Sequence, residues 1–456
     1  MRRRAVILAL ACCLAVLAGP AIAEIGTIDA VPAATLLLPY FEVDLANQNG
    51  ITTLFSVNNA SASAAVAHVT VWTDQSIPTL DFDIYPTGYD VQTINIRDIF
   101  NGNLPRTADS GADPSGSAIG VGISPRGSLS QDINFPGATG PCANPYPATG
   151  ALSATLIDHI RKSHTGLSSA LYGGCSGAAY GDNIARGYIT VDTVVSCNLS
   201  FPSDAGYFTT LASNQNVLWG DFFWINPGQN FATGTTLVHI EACSGGANPP
   251  YIGYVGNGAG KCPFSFAAGN YTFYGRYNSV AGQDQREPLA TTFASRYING
   301  GTFSGGTDLI VWRDSKTRPV GANGTHSCSS NPSWFPLNQS DVVSFDETEN
   351  PTDLCFQSDN VSPPTGGTLT CFPLETQRVH LAGGNIIGAN PGPPAPFGWI
   401  YLNLNHTLAS GDPYPGRAQN WVITSMSASG LYEVGYDAIA LDNATSSVSG
   451  GVILIP

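Results

Sequence analysis

The stretch Val69-Thr70-Val71-Trp72-Thr73-Asp74 alternates apolar and polar residues, and a Pro-Thr pair at Pro78 follows it. Successive side chains of a β-strand point to opposite faces of the sheet, so a period of two predicts a strand with one buried and one solvated face. Thr93 to Ile96 repeats the alternation. Short strands of this kind, without helices between them, favour a β-sandwich.

This stretch has a counterpart at Val342-Val343-Ser344-Phe345-Asp346-Glu347, which is also followed by a Pro-Thr pair, at Pro351. Two β-rich stretches can resemble each other through composition alone, and identity between these is low. Other segments nevertheless match in the same order, which favours an internal duplication. The further matches are Ala34–Leu38 with Ala290–Ala294, Thr53–Phe55 with Leu309–Val311, Gln92–Ile96 with Thr376–Leu381, Gly187–Val191 with Gly398–Leu402, Asn216–Trp219 with Asn420–Ile423, and Thr236–Ile240 with Tyr436–Leu441.

The predicted fold class is all-β, with two related Ig-like β-sandwich units at 24–263 and 264–456. The term Ig-like describes a pattern of strands here and carries no function. The first unit contains an insertion at 101–186. The early part of that insertion is rich in Gly, Ser and Pro and predicts loop, whereas 151–163 predicts one short helix.

The first 23 residues predict a cleaved signal peptide. Arg2, Arg3 and Arg4 form a positive start, an uncharged apolar run follows to Gly19, and Ala21-Ile22-Ala23 fits a cleavage site. A lipoprotein leader at Cys12 or Cys13 is the alternative, but Leu10-Ala11 fits that motif poorly. We therefore expect a secreted bacterial protein in the periplasm, on the outer surface or outside the cell, with no transmembrane segment.

Charge and cysteine content narrow the class of protein further. Removal of the three leader arginines leaves 15 basic residues against 33 acidic ones, a net charge of −18, which argues against nucleic-acid binding. Eight cysteines follow the leader, and an even number in an exported chain predicts disulfides. Cys142–Cys175 and Cys243–Cys262 are candidate local pairs. The eight are Cys142, Cys175, Cys197, Cys243, Cys262, Cys328, Cys355 and Cys371.

Asp158, His159 and His164 form the densest group of potential metal ligands or catalytic side chains. The weaker alternative partners are His239 and Glu241, which share one strand face and would need Asp182 or Asp221 beside them for acid–base chemistry. Each set is also what a solvated helix face or an edge strand would carry, and we favour that simpler interpretation for both.

Two acidic clusters, Asp81-Phe82-Asp83 and Asp346-Glu347-Thr348-Glu349, raise the question of calcium. Calcium requires six to eight oxygen ligands, and no EF-hand pattern is present. Alternating Asp81 and Asp83 are more simply the solvated side of a strand. We expect no cofactor, and a structural calcium ion remains the open alternative.

Aromatic residues suggest a binding surface. Trp219 and Trp224 lie within one short segment, and Trp334 and Phe335 lie in a Cys- and Pro-rich loop. Exposed aromatic rings beside amides and carboxylates can stack on sugar rings or anchor protein interfaces. Burial in the core is the alternative; it is favoured for Trp219 and for Trp399, which lie on apolar strands.

The sequence favours a non-enzymatic, extracellular or cell-surface structural or binding protein, with other surface proteins or polysaccharide as partners. Self-assembly through the C-terminal strand Val452–Ile455 is one route. A carbohydrate-binding module that uses the aromatic residues is the first alternative. A secreted hydrolase or metal enzyme that uses Asp158, His159 and His164 is the second.

Overall fold

A computed structural model of the chain shows antiparallel β-sheets with a few short helices, which confirms the all-β class. The structure describes residues 31–86, 88–105, 152–197, 199–242, 272–275, 284–315, 325–332, 335–337, 339–354, 371–381, 393–405 and 418–441. The predicted leader, the boundary at 263 and the C-terminal strand 452–455 lie outside these residues.

The first half of the described chain contains two sheets. Sheet I has the strand order β10-β1-β6-β3-β4, and sheet II has the order β5-β2-β8-β9, with β7 also paired to β2. The strands are β1 Thr35–Asp44, β2 Thr52–Asn59, β3 Val66–Thr73, β4 Pro78–Ile84, β5 Val91–Asn95, β6 Ile184–Val194, β7 Leu218–Trp219, β8 Asp221–Asn226, β9 Phe231–Thr236 and β10 Val238–Ile240.

The second half contains two more sheets. Sheet III has the order β15-β12-β17-β18, and sheet IV has the order β14-β13-β16-β11-β19. The strands are β11 Thr292–Ile298, β12 Gly306–Arg313, β13 Asp341–Asp346, β14 Pro351–Asp353, β15 Thr376–His380, β16 Phe397–Asn403, β17 Asn420–Ser427, β18 Glu433–Asp437 and β19 Ile439–Ala440.

Both halves arrange their strands in the same order when each is read along the chain. Sheet IV repeats the order of sheet I, and sheet III repeats that of sheet II. Gly187 on β6 and Gly398 on β16 occupy corresponding places: a Cβ atom at either would lie 2.1 Å from the carbonyl oxygen of Trp72 or 1.9 Å from that of Phe345. The neighbouring strand therefore approaches so closely that only glycine fits at either position.

Sheet I is covered on both faces. Strand β1 contacts β2, β7 and β8 of sheet II on one side and β12 and β15 of sheet III on the other. Every residue of β3 is buried, so the predicted solvated face of Val69–Asp74 is wrong. The alternation on β5 does mark a solvated face, because Val91 and Thr93 are exposed while Gln92 and Ile94 are buried.

Sheet III contributes to two cores. Leu309 and Val311 of β12 pack in the core of the second half, whereas Ile310 and Trp312 of the same strand pack in the core of the first half. The Trp312 ring lies 6.0 Å from the ring of Tyr188 on β6 and 5.4 Å from that of Phe273. The layers therefore follow the order II, I, III, IV.

Two short α-helices lie in the described part of the first half, α1 at Ile96–Phe100 and α2 at Ala154–Ser163. The predicted helix at 151–163 corresponds to α2, which begins three residues later because the Ser153 hydroxyl caps it by accepting from the Leu156 N–H. The described residues also contain a π-turn at Tyr207–Leu211 and a 3₁₀ turn at Pro227–Gln229.

One disulfide joins the halves, Cys175–Cys328, across 153 residues of sequence. The predicted local pair Cys142–Cys175 is therefore wrong. Cys197 and Cys371 are also disulfide-bonded. The remaining cysteines, Cys142, Cys243, Cys262 and Cys355, lie outside the described residues. Among the described residues, no helix is long and apolar enough to cross a membrane.

Trp312→Ala tests whether the junction stabilises the whole molecule. The Trp312 ring belongs to a strand of the second half but packs in the core of the first half. Because the substitution removes these contacts, we expect the free energy of unfolding to decrease by about 3–5 kcal/mol. Urea denaturation followed by circular dichroism measures it. Leu431→Ala, at an exposed site, is the control and should change stability by less than about 0.5 kcal/mol. A Trp312→Ala effect no larger than that of the control would contradict this role.

Candidate binding face

The outer face of sheet II carries two exposed aromatic rings. Trp219 is 41% exposed and Phe223 is 45% exposed. They lie opposite Asn58 and Leu54 of β2 in one unbroken register. They are four residue steps apart along the strand, or about 13 Å, and both side chains face the same way. We call Trp219, Asp221 and Phe223 the aromatic face.

A carboxylate lies between the two rings. Asp221 Oδ1 accepts a hydrogen bond of 2.7 Å from the Ser56 hydroxyl, which in turn accepts from the Asn58 amide at 2.9 Å. Ser56 and Asn58 lie on β2 on the same side of the sheet, are buried, and hold Asp221 in place. Oδ2 of the half-buried Asp221 makes no contact of this kind in the described residues, so it can accept a hydrogen bond from a ligand.

Trp224 faces the opposite way from Trp219. It is 3% exposed, its indole N–H donates to the Tyr40 carbonyl oxygen at 3.2 Å, and its ring meets that of Phe222 edge-on at 4.7 Å. Residues five apart on a strand lie on opposite faces, so Trp219 and Trp224 cannot share one surface. The alternation of positions 219, 221 and 223 is the sequence signal that identifies Phe223 instead.

The second predicted aromatic pair does not form an exposed platform in the described residues. Phe335 is buried against Leu337, Leu374 and Tyr180. Trp334 lies outside the described residues.

Aromatic rings also lie on the outer face of sheet IV. Trp399 of β16 is half-buried and stacks on Phe345 of β13, with ring centroids 4.0 Å apart and planes inclined by 5°. It lies outside the apolar cluster of that half. Arg296 follows on the neighbouring strand and pairs with Glu347 at 3.2 Å. Trp399 is therefore a surface-layer residue, where sequence favoured the core.

The predicted metal or catalytic group is dispersed. Asp158 is exposed and pairs with Lys162 at 3.0 Å. His159 is buried, with Nδ1 2.8 Å from the Ser169 hydroxyl, and burial lowers the pKa of its imidazole to about 4. His164 lies 2.8 Å from the Thr79 hydroxyl and 2.7 Å from the Arg186 carbonyl oxygen, and burial lowers its pKa to about 3.

The two acidic clusters have different roles. Asp81 and Asp83 are buried rather than solvated, and His68 lies between them, 2.8 Å from Asp83 and 3.7 Å from Asp81. Asp346 stabilises its own turn by accepting hydrogen bonds from Thr348 and Asn350, and these bonds lower the pKa of its carboxyl. Within the described residues, no group of three or more His, Cys, Asp or Glu side chains could hold a metal ion.

The weaker acid–base set is also separated. His239 and Glu241 are buried, although β10 is an edge strand, and His239 Nε2 lies 3.3 Å from the Gly220 backbone nitrogen. Asp182 pairs with Arg186 at 2.8 Å, and Asp221 belongs to the aromatic face. These side chains serve separate local contacts.

Comparison of the chain with protein-family models, with curated proteins and with solved structures finds no match.

The junction between the halves contains a buried acid, Glu375. Its Oε1 accepts from the Tyr188 hydroxyl at 2.8 Å, and its Oε2 accepts from the Ser315 hydroxyl. Burial raises the pKa of this carboxyl to about 7, because the charged form loses its hydration. The Asp74 backbone carbonyl oxygen accepts from the Glu375 N–H at 3.1 Å, and burial raises the pKa of the Asp74 carboxyl to about 7 as well.

Glu375→Gln should flatten the pH dependence of stability. The folded state binds the Glu375 proton more tightly than the unfolded state does. The contribution of this proton to the free energy of unfolding is therefore fully present below the ordinary pKa of 4.5 and is lost as pH rises through about 7. The loss amounts to about 3 kcal/mol between pH 4 and pH 8. Gln keeps the shape of the neutral acid but does not titrate. Between pH 4 and pH 8 the free energy of unfolding of the variant should therefore decrease by about 3 kcal/mol less than that of wild type.

Urea denaturation at the two pH values measures this difference. Glu349→Gln, at an exposed acid, should retain the wild-type pH dependence. Equal pH dependence in Glu375→Gln and wild type would show that Glu375 is not a buried neutral acid.

Proposed function

We propose that the protein is an exported, non-enzymatic binding protein of the bacterial surface or surroundings, and that its aromatic face binds polysaccharide. The single observation that carries the proposal is the placement of Trp219, Asp221 and Phe223 on one solvent-facing side of a sheet. The leader sequence, with its small-residue cleavage site before Glu24, supports export.

The face has the chemistry that sugars require. Each ring of Trp219 and Phe223 offers an apolar surface for the C–H side of a pyranose, while the free Asp221 oxygen accepts from its hydroxyls. The two residues are about 13 Å apart along the strand, a span that a single monosaccharide does not bridge. The rigid sheet fixes both rings before binding, so little conformational entropy is lost.

The duplication of Ig-like units forms part of the same proposal. The shared strand order of the halves supports it, as do the closely packed glycines Gly187 and Gly398. The proposed correspondence shifts one segment. Leu54 and Ile310 are matched positions, and their cross-strand neighbours are Phe223 and Ile423. Ile423 therefore corresponds to Phe223 and not to Trp219. The match of Asn216–Trp219 with Asn420–Ile423 is displaced by four residues.

Trp219→Ala and Phe223→Ala should each weaken binding to polysaccharide at least tenfold, because a stacking ring is removed while the sheet is left intact. Protein recovered from the culture medium, with Glu24 as its first residue, is incubated with cellulose, xylan, chitin and starch, and the bound fraction is measured over a concentration series.

Tyr172→Ala is the matched control, since Tyr172 is an aromatic residue of similar exposure whose ring contacts that of His159 in α2, with centroids 4.5 Å apart. It should bind like wild type. Binding by none of the four polysaccharides, or binding that both substitutions leave unchanged, would refute the proposed role of the face. A chain that retains Met1 and stays in the cytoplasm would refute export.

A further inference from the structure

A cleft of about 580 Å³ lies where sheet III meets the end of β9. Phe231 and Gln229 come from the first half, and Arg378, His380 and Ser427 come from sheet III. Strands β9 and β18 lie side by side there, so both halves build the walls. The aromatic face is on a different surface, the outer side of sheet II, and the two sites are therefore independent.

Two carboxylates hold the guanidinium of Arg378 in the cleft. Its Nε donates to Asp308 Oδ2 at 3.0 Å, a second N–H donates to the same oxygen, and its Nη1 donates to Glu42 Oε2 at 3.2 Å. Arginine has five N–H donors, and its contacts with the described residues use three of them, so two can donate to a ligand. Asp308 and Glu42 are nearly buried, whereas Arg378 is more exposed.

The imidazole of His380 is oriented by the same carboxylate. Its Nδ1 lies 2.7 Å from Asp308 Oδ1, and the side chain is 39% exposed. The Arg378 and His380 contacts lower the pKa of the Asp308 carboxyl, which is therefore an ionised acceptor. Nδ1 therefore donates its proton to this carboxylate, and the opposite ring nitrogen, Nε2, remains available to a ligand in the cleft.

We propose that this cleft binds a neutral, polyhydroxylated ligand, a short saccharide. Hydroxyl groups of a sugar both donate and accept, and the cleft supplies partners of both kinds: donors on Arg378, the ring nitrogen Nε2 of His380, and the amide and hydroxyl of Gln229 and Ser427, which donate and accept. The Phe231 ring adds an apolar wall for the C–H side of a pyranose.

The charges favour a ligand without a net charge. An anion would approach Arg378 but would meet Asp308 and Glu42 directly behind it and Glu433 in the same lining. A cation would meet Arg378, which together with Arg186 offsets the charges of Asp308 and Glu42, while Glu433 already accepts from the Ala232 N–H at 3.3 Å. A neutral hydroxyl compound forms hydrogen bonds to all of these groups without adding an uncompensated charge in a partly desolvated site.

Calorimetric titration of the full-length mature protein tests this class of ligand. The neutral probes are glucose, N-acetylglucosamine and cellobiose, and the charged counterparts are glucosamine and glucuronate. We expect at least one neutral probe to bind with a Kd on the order of 1 mM and its charged counterparts to bind at least tenfold more weakly.

His380→Ala and Phe231→Ala should each reduce that affinity at least tenfold. Two variants are used because a change in the cleft can affect folding, and thermal melts show that each is folded. Tyr432→Ala, an exposed aromatic residue outside the cleft lining, is the matched control for Phe231→Ala and should bind like wild type.

The outcomes separate this site from the aromatic face. Binding lost in His380→Ala but retained in Trp219→Ala supports the cleft, whether or not polysaccharide binds sheet II. Binding lost in Trp219→Ala and retained in His380→Ala and Phe231→Ala overturns the cleft and leaves the aromatic face. The proposal for the cleft is also overturned if no neutral probe binds at a concentration about 50-fold above the expected Kd, or if a charged probe binds as tightly as its neutral counterpart.

Discussion

The rest of the structure depends on the burial of sheet I between two other sheets. A sheet in a simple sandwich has one face in water, where polar side chains need no protein partner. Sheet I has no such face along β3, so each polar side chain it presents to the second half must find a partner inside the protein. Asp192 shows how this is done, because it accepts from the Tyr207 hydroxyl at 2.7 Å and the Tyr274 hydroxyl at 2.9 Å and pairs with Arg286 at 3.3 Å.

This buried junction positions both candidate sites. Sheets II and IV become the outer layers, and their outer faces carry the exposed or half-buried rings Trp219, Phe223 and Trp399. Sheet III meets the edge of sheet II at β9 and β18, and the cleft around Arg378 opens at that contact. The Cys175–Cys328 disulfide and the Glu375–Tyr188 hydrogen bond tie the same junction elsewhere.

The sequence predicts the elements better than their surroundings. Alternation located the strands around Val69 and Thr93, and apolar spacing located helix α2. Alternation does not distinguish a face in water from a polar face covered by another sheet, because both give a period of two. For this reason the sequence predicts Asp81 and Asp83 in solvent, although both are buried. The Cys175–Cys328 pair joins residues 153 apart, a separation that spacing cannot reveal. The alternation of faces along a strand is enough to predict that Phe223, and not Trp224, lies on the same side as Trp219. The cleft, by contrast, depends on packing between the halves, which no local sequence pattern encodes.

Hydrogen–deuterium exchange of the intact protein tests most directly whether the two halves form one cooperative unit. The account predicts that amides of β3 in the first half and β12 in the second half exchange only through a common opening, with the same free energy and the same response to added urea. Exchange of β12 at a free energy several kcal/mol below that of β3, with its own urea dependence, would show that the halves open separately and would contradict the central place of sheet I.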